Sequence, residues 1–169
     1  MTLRVCFVCT GNICRSPMAE HVFRTRVEEA GLSGAVEISS AGTDGWHVGE
    51  GADPRTVHVL QEGGYPTAHT ARQFHRDWFR HLDLVLALDA GHLRILRRLA
   101  PTPQDAAKVR LLRSYDPAAA ADEQDVLDPY YGDPDGFEEC LRVVEAASDG
   151  LLDAVRGRLD ERPPAPDNA

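Results

Sequence analysis

A single lysine, Lys108, is all that this 169-residue chain carries. The remaining positive charge is arginine, with no basic run. Acidic residues number 27 against 18 basic ones, for a net charge of −9. Phosphate backbones and anionic membranes bind clustered cations, so neither a nucleic acid nor a membrane surface is an expected partner. No apolar run approaches the roughly 18 residues that a membrane span requires. The first residues, Met1-Thr2-Leu3-Arg4, enter a short apolar stretch without the long hydrophobic segment and cleavage site of a secretory leader. The expected location is the cytoplasm.

Cysteine is also scarce: Cys6, Cys9, Cys14 and Cys140. Structural disulfides are not expected in a reducing compartment. Cys6 and Cys9 have the spacing of a metal or redox pair. Both fall on an apparent strand, however, where side chains three apart face opposite ways. No second Cys pair or His pair completes a metal site, so no metal or cofactor is expected. Cys6 and Cys140 read as core residues. What is present is an ordinary globular balance, 43% hydrophobic and 27% charged, without repeats or linkers. Residues 1–160 read as one domain, which can bury roughly 70% of its unfolded surface without a covalent staple. The proline-rich segment 161–169 reads as a disordered tail.

The hydrophobic pattern alternates between strand and helix. Residues 3–8 form a short apolar, β-branched run, broken by Thr10-Gly11-Asn12. Ser16-Pro17 then reads as an N-cap followed by proline at the first helical position. Ala19, Val22, Phe23, Val27 and Ala30 recur at helical spacing, and Gly31 stops the helix. Further strands are expected at 36–40, 82–88 and 109–112, and helices at 54–62, 90–99 and 137–159. Residues 41–51 are a glycine-rich loop holding Trp46, and 114–136 a long loop. Such alternation predicts an α/β fold with a parallel sheet covered on both faces, and a ligand beyond the carboxyl ends of the strands.

One such strand end carries chemistry. Cys9-Thr10-Gly11-Asn12-Ile13-Cys14-Arg15-Ser16 joins the first strand to the first helix. Unpaired N–H groups and the positive end of the helix dipole converge at such a place and bind anions. A thiol there, beside an arginine, ionises more readily and becomes a nucleophile. Arg15 supplies a planar fork for two phosphate oxygens. Gly11 permits close backbone approach, and Asn12 tolerates a left-handed φ. Ser16 can both cap the helix and donate to Cys9. A cysteine six residues before an arginine arises easily by chance; the strand, the turn residues and the helix around it make the signal specific.

Residues 8–17, Val-Cys-Thr-Gly-Asn-Ile-Cys-Arg-Ser-Pro, resemble the active-site loop of low-molecular-weight protein tyrosine phosphatases. Asp128-Pro129-Tyr130-Tyr131 resembles their general-acid loop. Ser39-Ser40-Ala41-Gly42-Thr43 and Ala68-His69-Thr70-Ala71-Arg72-Gln73 are similar to two further family segments, in the same order. The resemblance implies a Rossmann-like four-stranded parallel sheet with helices on both faces, and hydrolysis of phosphotyrosine in proteins by a monomer without metal. It implies Cys9 as nucleophile and Asp128 as general acid, then base. The phosphoryl group would be held by Arg15 and the N–H groups of Thr10, Gly11, Asn12, Ile13, Cys14, Arg15 and Ser16. Ser40 and His69 would fix the loop through Asn12, and Asp89 would orient Arg15 or simply cap the helix that follows it. Trp46, Tyr130 and Tyr131 would wall a pocket deep enough for phosphotyrosine. Cys14 beside Cys9 would allow reversible disulfide protection under oxidant.

Three other readings compete. A protein-arginine phosphatase of this fold would share the threonine after the nucleophile, but carries a small threonine where this chain has Ile13. An arsenate reductase on this scaffold would need relay cysteines, and residues 82–99 contain none. A phosphopeptide-binding module without turnover would not need nucleophile, arginine and acid together.

Overall fold

The computed structural model describes residues 2–133 and 135–161. Four strands, β1 (Leu3–Cys9), β2 (Val36–Gly42), β3 (Leu84–Ala87) and β4 (Val109–Leu111), form one sheet in the order β2-β1-β3-β4. Every pairing is parallel. Five α-helices are present among the described residues: α1 (Arg15–Glu29), α2 (Pro54–Glu62), α3 (Ala90–Leu99), the single turn α4 (Pro103–Ala106) and α5 (Asp135–Glu161). Short 3₁₀ turns occupy Arg76–Arg80 and Leu112–Tyr115.

The two central strands are apolar on both sides because helices cover both. Val5, Phe7 and Cys9 of β1, with Leu84, Leu86 and Leu88, face a core built with α1, α2 and α5. Cys6, Val8, Val85 and Ala87 face a second core with Phe74, Phe79 and Leu96 of α3. Cys6 and Cys9 thus lie on opposite faces, as their spacing requires. Phe7 meets Phe23 of α1 edge-on at 5.7 Å, pinning the first helix to the first strand. The chain leaves β1 toward one face and β3 toward the other. The crevice between their carboxyl ends is the switch point at which open α/β sheets bind ligands.

Several boundaries differ from those read in the sequence. The last helix begins at Asp135 and runs through Glu161, so Glu161 belongs to α5 and not to a tail; 162–169 lie outside the described residues. The start of the 114–136 loop and the segment before β3 hold the two 3₁₀ turns, whose short runs carry no long periodicity. Ser16 does not cap α1. The helix starts at Arg15 with Cys14 in the cap position and no side-chain cap bond. The Ser16 hydroxyl is engaged inside the loop instead. Gly31 ends the same helix with φ of 72°, a value that glycine adopts without strain.

Candidate active site

The loop between β1 and α1 is shaped by what holds its carbonyls. Cys9 O accepts from Thr43 N, Thr10 O from Asp44 N, Ile13 O from Asp53 N and Cys14 O from Met18 N. The His69 ring Nε2 lies 2.6 Å from Asn12 O. Cys14 O thus opens the α1 ladder, and the other carbonyls are tied to neighbouring segments of the chain. None of the backbone N–H groups from Thr10 to Cys14 donates to a protein acceptor among the described residues. A row of unclaimed donors at a helix N-terminus favours an anion.

Asn12 is the keystone. It is fully buried, at φ of 57°, and no other described non-glycine residue has positive φ. Its Oδ1 accepts from Arg72 N at 3.0 Å, which orients the amide. Its Nδ2 then donates to Ser16 Oγ at 2.8 Å and Ser40 Oγ at 3.0 Å. Ser16 Oγ lies 2.9 Å from Cys9 Sγ. Because Asn12 donates into Ser16, the serine's own proton is left to face the sulfur. Gly42 closes the floor: a Cβ there would stand 2.6 Å from Thr10 O and 3.2 Å from Asn12 N, so only glycine admits the loop this closely.

Arg15 is buried, with 4% of its side chain exposed. It donates to Asp89 Oδ2 at 2.8 Å and to Val126 O at 2.9 Å. Its second terminal nitrogen is 3.6 Å from Asp128 Oδ2. Burial opposes its charge, but the Asp89 hydrogen bond and the nearby Cys9 and Asp128 outweigh burial and hold the guanidinium charged. Burial likewise works against the Asp89 carboxylate; the His92 N–H and Arg15 more than offset it and keep that carboxyl below its usual range. Asp89 both holds Arg15 and caps α3 through His92 N, so its two expected roles coexist. Burial pushes the Cys14 thiol up to about 12, with Asp53 adding to the effect, so Cys14 is a neutral thiol. Cys6 and Cys140 are pushed up to about 12 mainly by burial, in keeping with core roles.

Asp128 stands at the mouth, with 41% of its side chain exposed. Its Oδ1 accepts from Tyr130 N at 3.1 Å, a turn in which the acid holds its own loop.

A sequence model of the "Low molecular weight phosphotyrosine protein phosphatase" family matches residues 4–161. The chain belongs to that family. The "Low molecular weight protein-tyrosine-phosphatase" of Streptomyces coelicolor is 72% identical over 162 residues, covering 96% of this chain and 99% of that protein. The "Low molecular weight protein-tyrosine phosphatase A" of Mycobacterium tuberculosis H37Rv is 50% identical over 165 residues, covering 96% and 98%. A crystal structure of a protein tyrosine phosphatase from Entamoeba histolytica superposes with a TM-score of 0.88 at 29% identity, covering 94% of this chain and 99% of that one.

The structure of this phosphatase-family member brings Cys9, Arg15 and Asp128 together, with Asn12, Ser16, Ser40 and His69 joined by hydrogen bonds and Asp89 on Arg15. The aromatic residues are less enclosed. Trp46 is 75% exposed and Tyr131 90%, while Tyr130 is 38% exposed and meets Tyr131 edge-on at 4.8 Å. Three site residues escaped the sequence reading. The His47 ring covers Gly11, with Cδ2 3.0 Å from where a Cβ would stand. His92 Nε2 lies 2.8 Å from Thr10 Oγ1, and burial lowers this imidazole to about 4, so it is neutral. Arg55 reaches the acid loop. Nothing local to these residues signals their placement, apart from the Asp53-Pro54 helix start beside Arg55.

Proposed function

We propose that the chain hydrolyses phosphotyrosine in proteins through a cysteinyl-phosphate intermediate, with the domain that ends with α5 at Glu161 as the catalytic domain. The observation that carries this reading is the convergence of Cys9 Sγ, the Arg15 guanidinium and the Asp128 carboxyl on a loop of unclaimed N–H donors. Family membership supports the same chemistry.

In the first step the Cys9 thiolate attacks phosphorus. The S–P bond forms as the P–O bond to tyrosine breaks, and Asp128 gives its proton to the departing phenolic oxygen. Arg15 and the N–H groups of residues 10–16 hold the three remaining phosphoryl oxygens through the transition state. In the second step Asp128 takes a proton from water as that water attacks phosphorus. The S–P bond breaks, and the leaving thiolate accepts the Ser16 hydroxyl proton as a hydrogen bond. Asn12, Ser40 and His69 keep the loop in shape, and Asp89 keeps Arg15 in place. The positive charge needed for the phosphoryl group comes from Arg15 and the loop, so no metal or cofactor enters.

Trp46, Tyr130 and Tyr131 rim the site and favour an aromatic leaving group, in line with Ile13 against a phosphoarginine substrate. The same reading places the enzyme in the cytoplasm, where the four unpaired cysteines are compatible with a reducing compartment. The proposed acting unit is a monomer; one chain carries every residue the steps use, so the chemistry needs no second copy.

The test is phosphate release from a phosphotyrosine peptide with chelator present, comparing wild type with Asp128→Ala and Cys9→Ser. Expected are strong wild-type release, a fall of roughly 10²–10⁴ for Asp128→Ala and none for Cys9→Ser. No release by freshly reduced wild type, with release from a phosphoarginine peptide, would replace phosphotyrosine by phosphoarginine. Binding without any release would leave a recognition module.

A further inference from the structure

Among the described residues, the carboxyl of Asp128 is held only from within its own loop and by a 3.6 Å approach to Arg15. A general acid must stand within hydrogen-bond reach of the leaving oxygen, and a displacement of about 1 Å can cost on the order of 10²-fold in rate. Something outside the loop must therefore set its height above Cys9.

Arg55, the second residue of α2, spans that distance. Its Nε donates to Asp53 Oδ1 and one terminal nitrogen to Asp53 Oδ2, both at 3.0 Å. Its other terminal nitrogen donates to Tyr130 O at 3.1 Å. The guanidinium lies over the Phe137 ring at 4.5 Å and the Tyr130 ring at 5.3 Å. Both ends of this strut are anchored. Asp53 caps α2, and its N–H donates to Ile13 O at 2.8 Å, so the arginine is referenced to the phosphate loop itself. At the far end Tyr130 gives its carbonyl to Arg55 and its N–H to Asp128 Oδ1.

We propose that Arg55 is a positioning residue for the general acid: through Tyr130 it sets the Asp128 carboxyl relative to the nucleophile loop. The role rests on the proposed acid function of Asp128. The planar fork is essential, because two edges of one rigid group serve two partners at once; a lysine ammonium cannot bind Asp53 bidentately and still reach Tyr130 O.

The experiment uses the full chain and a series of aryl phosphates from 4-nitrophenyl to phenyl phosphate. For each, kcat/KM is plotted against leaving-group pKa for wild type, Asp128→Ala, Arg55→Ala, Arg55→Lys and the Asp128→Ala/Arg55→Ala double variant. A good leaving group needs little protonation, so misplacing the acid penalises phenyl phosphate most. Arg55→Ala is expected to lose about tenfold on phenyl phosphate and less than about threefold on 4-nitrophenyl phosphate, a steeper slope than wild type. Arg55→Lys is expected to behave the same way. In the Asp128→Ala background the Arg55 effect is expected to vanish, to within about twofold. Inhibition by inorganic phosphate is expected to stay unchanged, because it reports the Cys9 loop alone. The α2 cap survives these substitutions, since Asp53 Oδ1 also accepts the residue 55 backbone N–H; circular dichroism checks folding.

A loss equal for all leaving groups, a loss additive with Asp128→Ala, or full rescue by lysine would overturn the role. An unchanged slope in Asp128→Ala would remove the acid assignment itself, and the role of Arg55 with it. A steepened slope in Asp128→Ala beside an unchanged one in Arg55→Ala would overturn the positioning role alone.

Discussion

Replacing Asn12 by alanine removes three hydrogen bonds, the buried ones to Ser16 and Ser40 and a half-buried one from Arg72 N, at 2.8, 3.0 and 3.0 Å. At about 1 kcal/mol net for each, the bonds amount to about 3 kcal/mol. Alanine must also keep φ of 57°, where its Cβ costs about 1 kcal/mol that asparagine partly avoids through local hydrogen bonding. Asn12→Ala is thus expected to destabilise the fold by about 4 kcal/mol, a large part of the roughly 5–15 kcal/mol typical of a domain. Asn12→Gly loses the same bonds without the strain, and is expected to be about 1 kcal/mol more stable than the alanine variant. Equilibrium urea unfolding measures both, followed by fluorescence of Trp78, which stacks edge-on against Phe74 at 5.3 Å. A loss below about 1 kcal/mol for alanine would show that the network does not hold the loop. An alanine variant as stable as the glycine one would show that the left-handed turn carries no strain.

Two further outcomes follow from the charges around Arg15. Asp89→Ala strands a buried guanidinium and uncaps α3, and is expected to cost about 3–5 kcal/mol in urea unfolding, with Asp89→Asn milder because it keeps the cap; a loss under about 1 kcal/mol for alanine would mean that Val126 O and Asp128 suffice. His92 is lowered from 6.5 to about 4, chiefly by burial, with Asp89, Asp125 and Asp128 pulling up and Arg15 pushing down. The unfolded chain therefore takes up the proton first as pH falls. His92's share of stability is intact above pH 6.5 and shrinks from there down to about 4, by about 2 kcal/mol at pH 5. The stability gap between wild type and His92→Asn should narrow by that amount between pH 7 and pH 5, and an unchanged gap would contradict it.

The sequence by itself determined the local machinery. An apolar β-branched run, a Gly-Asn break and an amphipathic helix place Cys9, Arg15 and the loop N–H groups in one short stretch, because strand end, turn and helix start are contiguous in the chain. The bounds of α2 were legible because Pro54 and Gly63-Gly64 punctuate it. Asp128 was singled out through the resemblance of its Asp-Pro-Tyr-Tyr setting to a family loop, whereas its place beside Arg15 comes from the fold. Only the tertiary structure decided the rest. Ser16 reads both as a helix cap and as a donor to Cys9; the fold keeps the second role, drops the first and hands it Asn12 as a donor. Val126 falls in a stretch that reads only as a long loop, yet its carbonyl accepts from Arg15, 111 positions away. Asp89, His92 and Arg55 reach the site because parallel pairing carries the end of β3 beside the end of β1, and because α2 starts where the loop carbonyl of Ile13 needs a donor. Periodicity and turn chemistry act over a few residues; the partners of a buried charge are chosen by sheet order, which brings distant parts of the chain to one strand end.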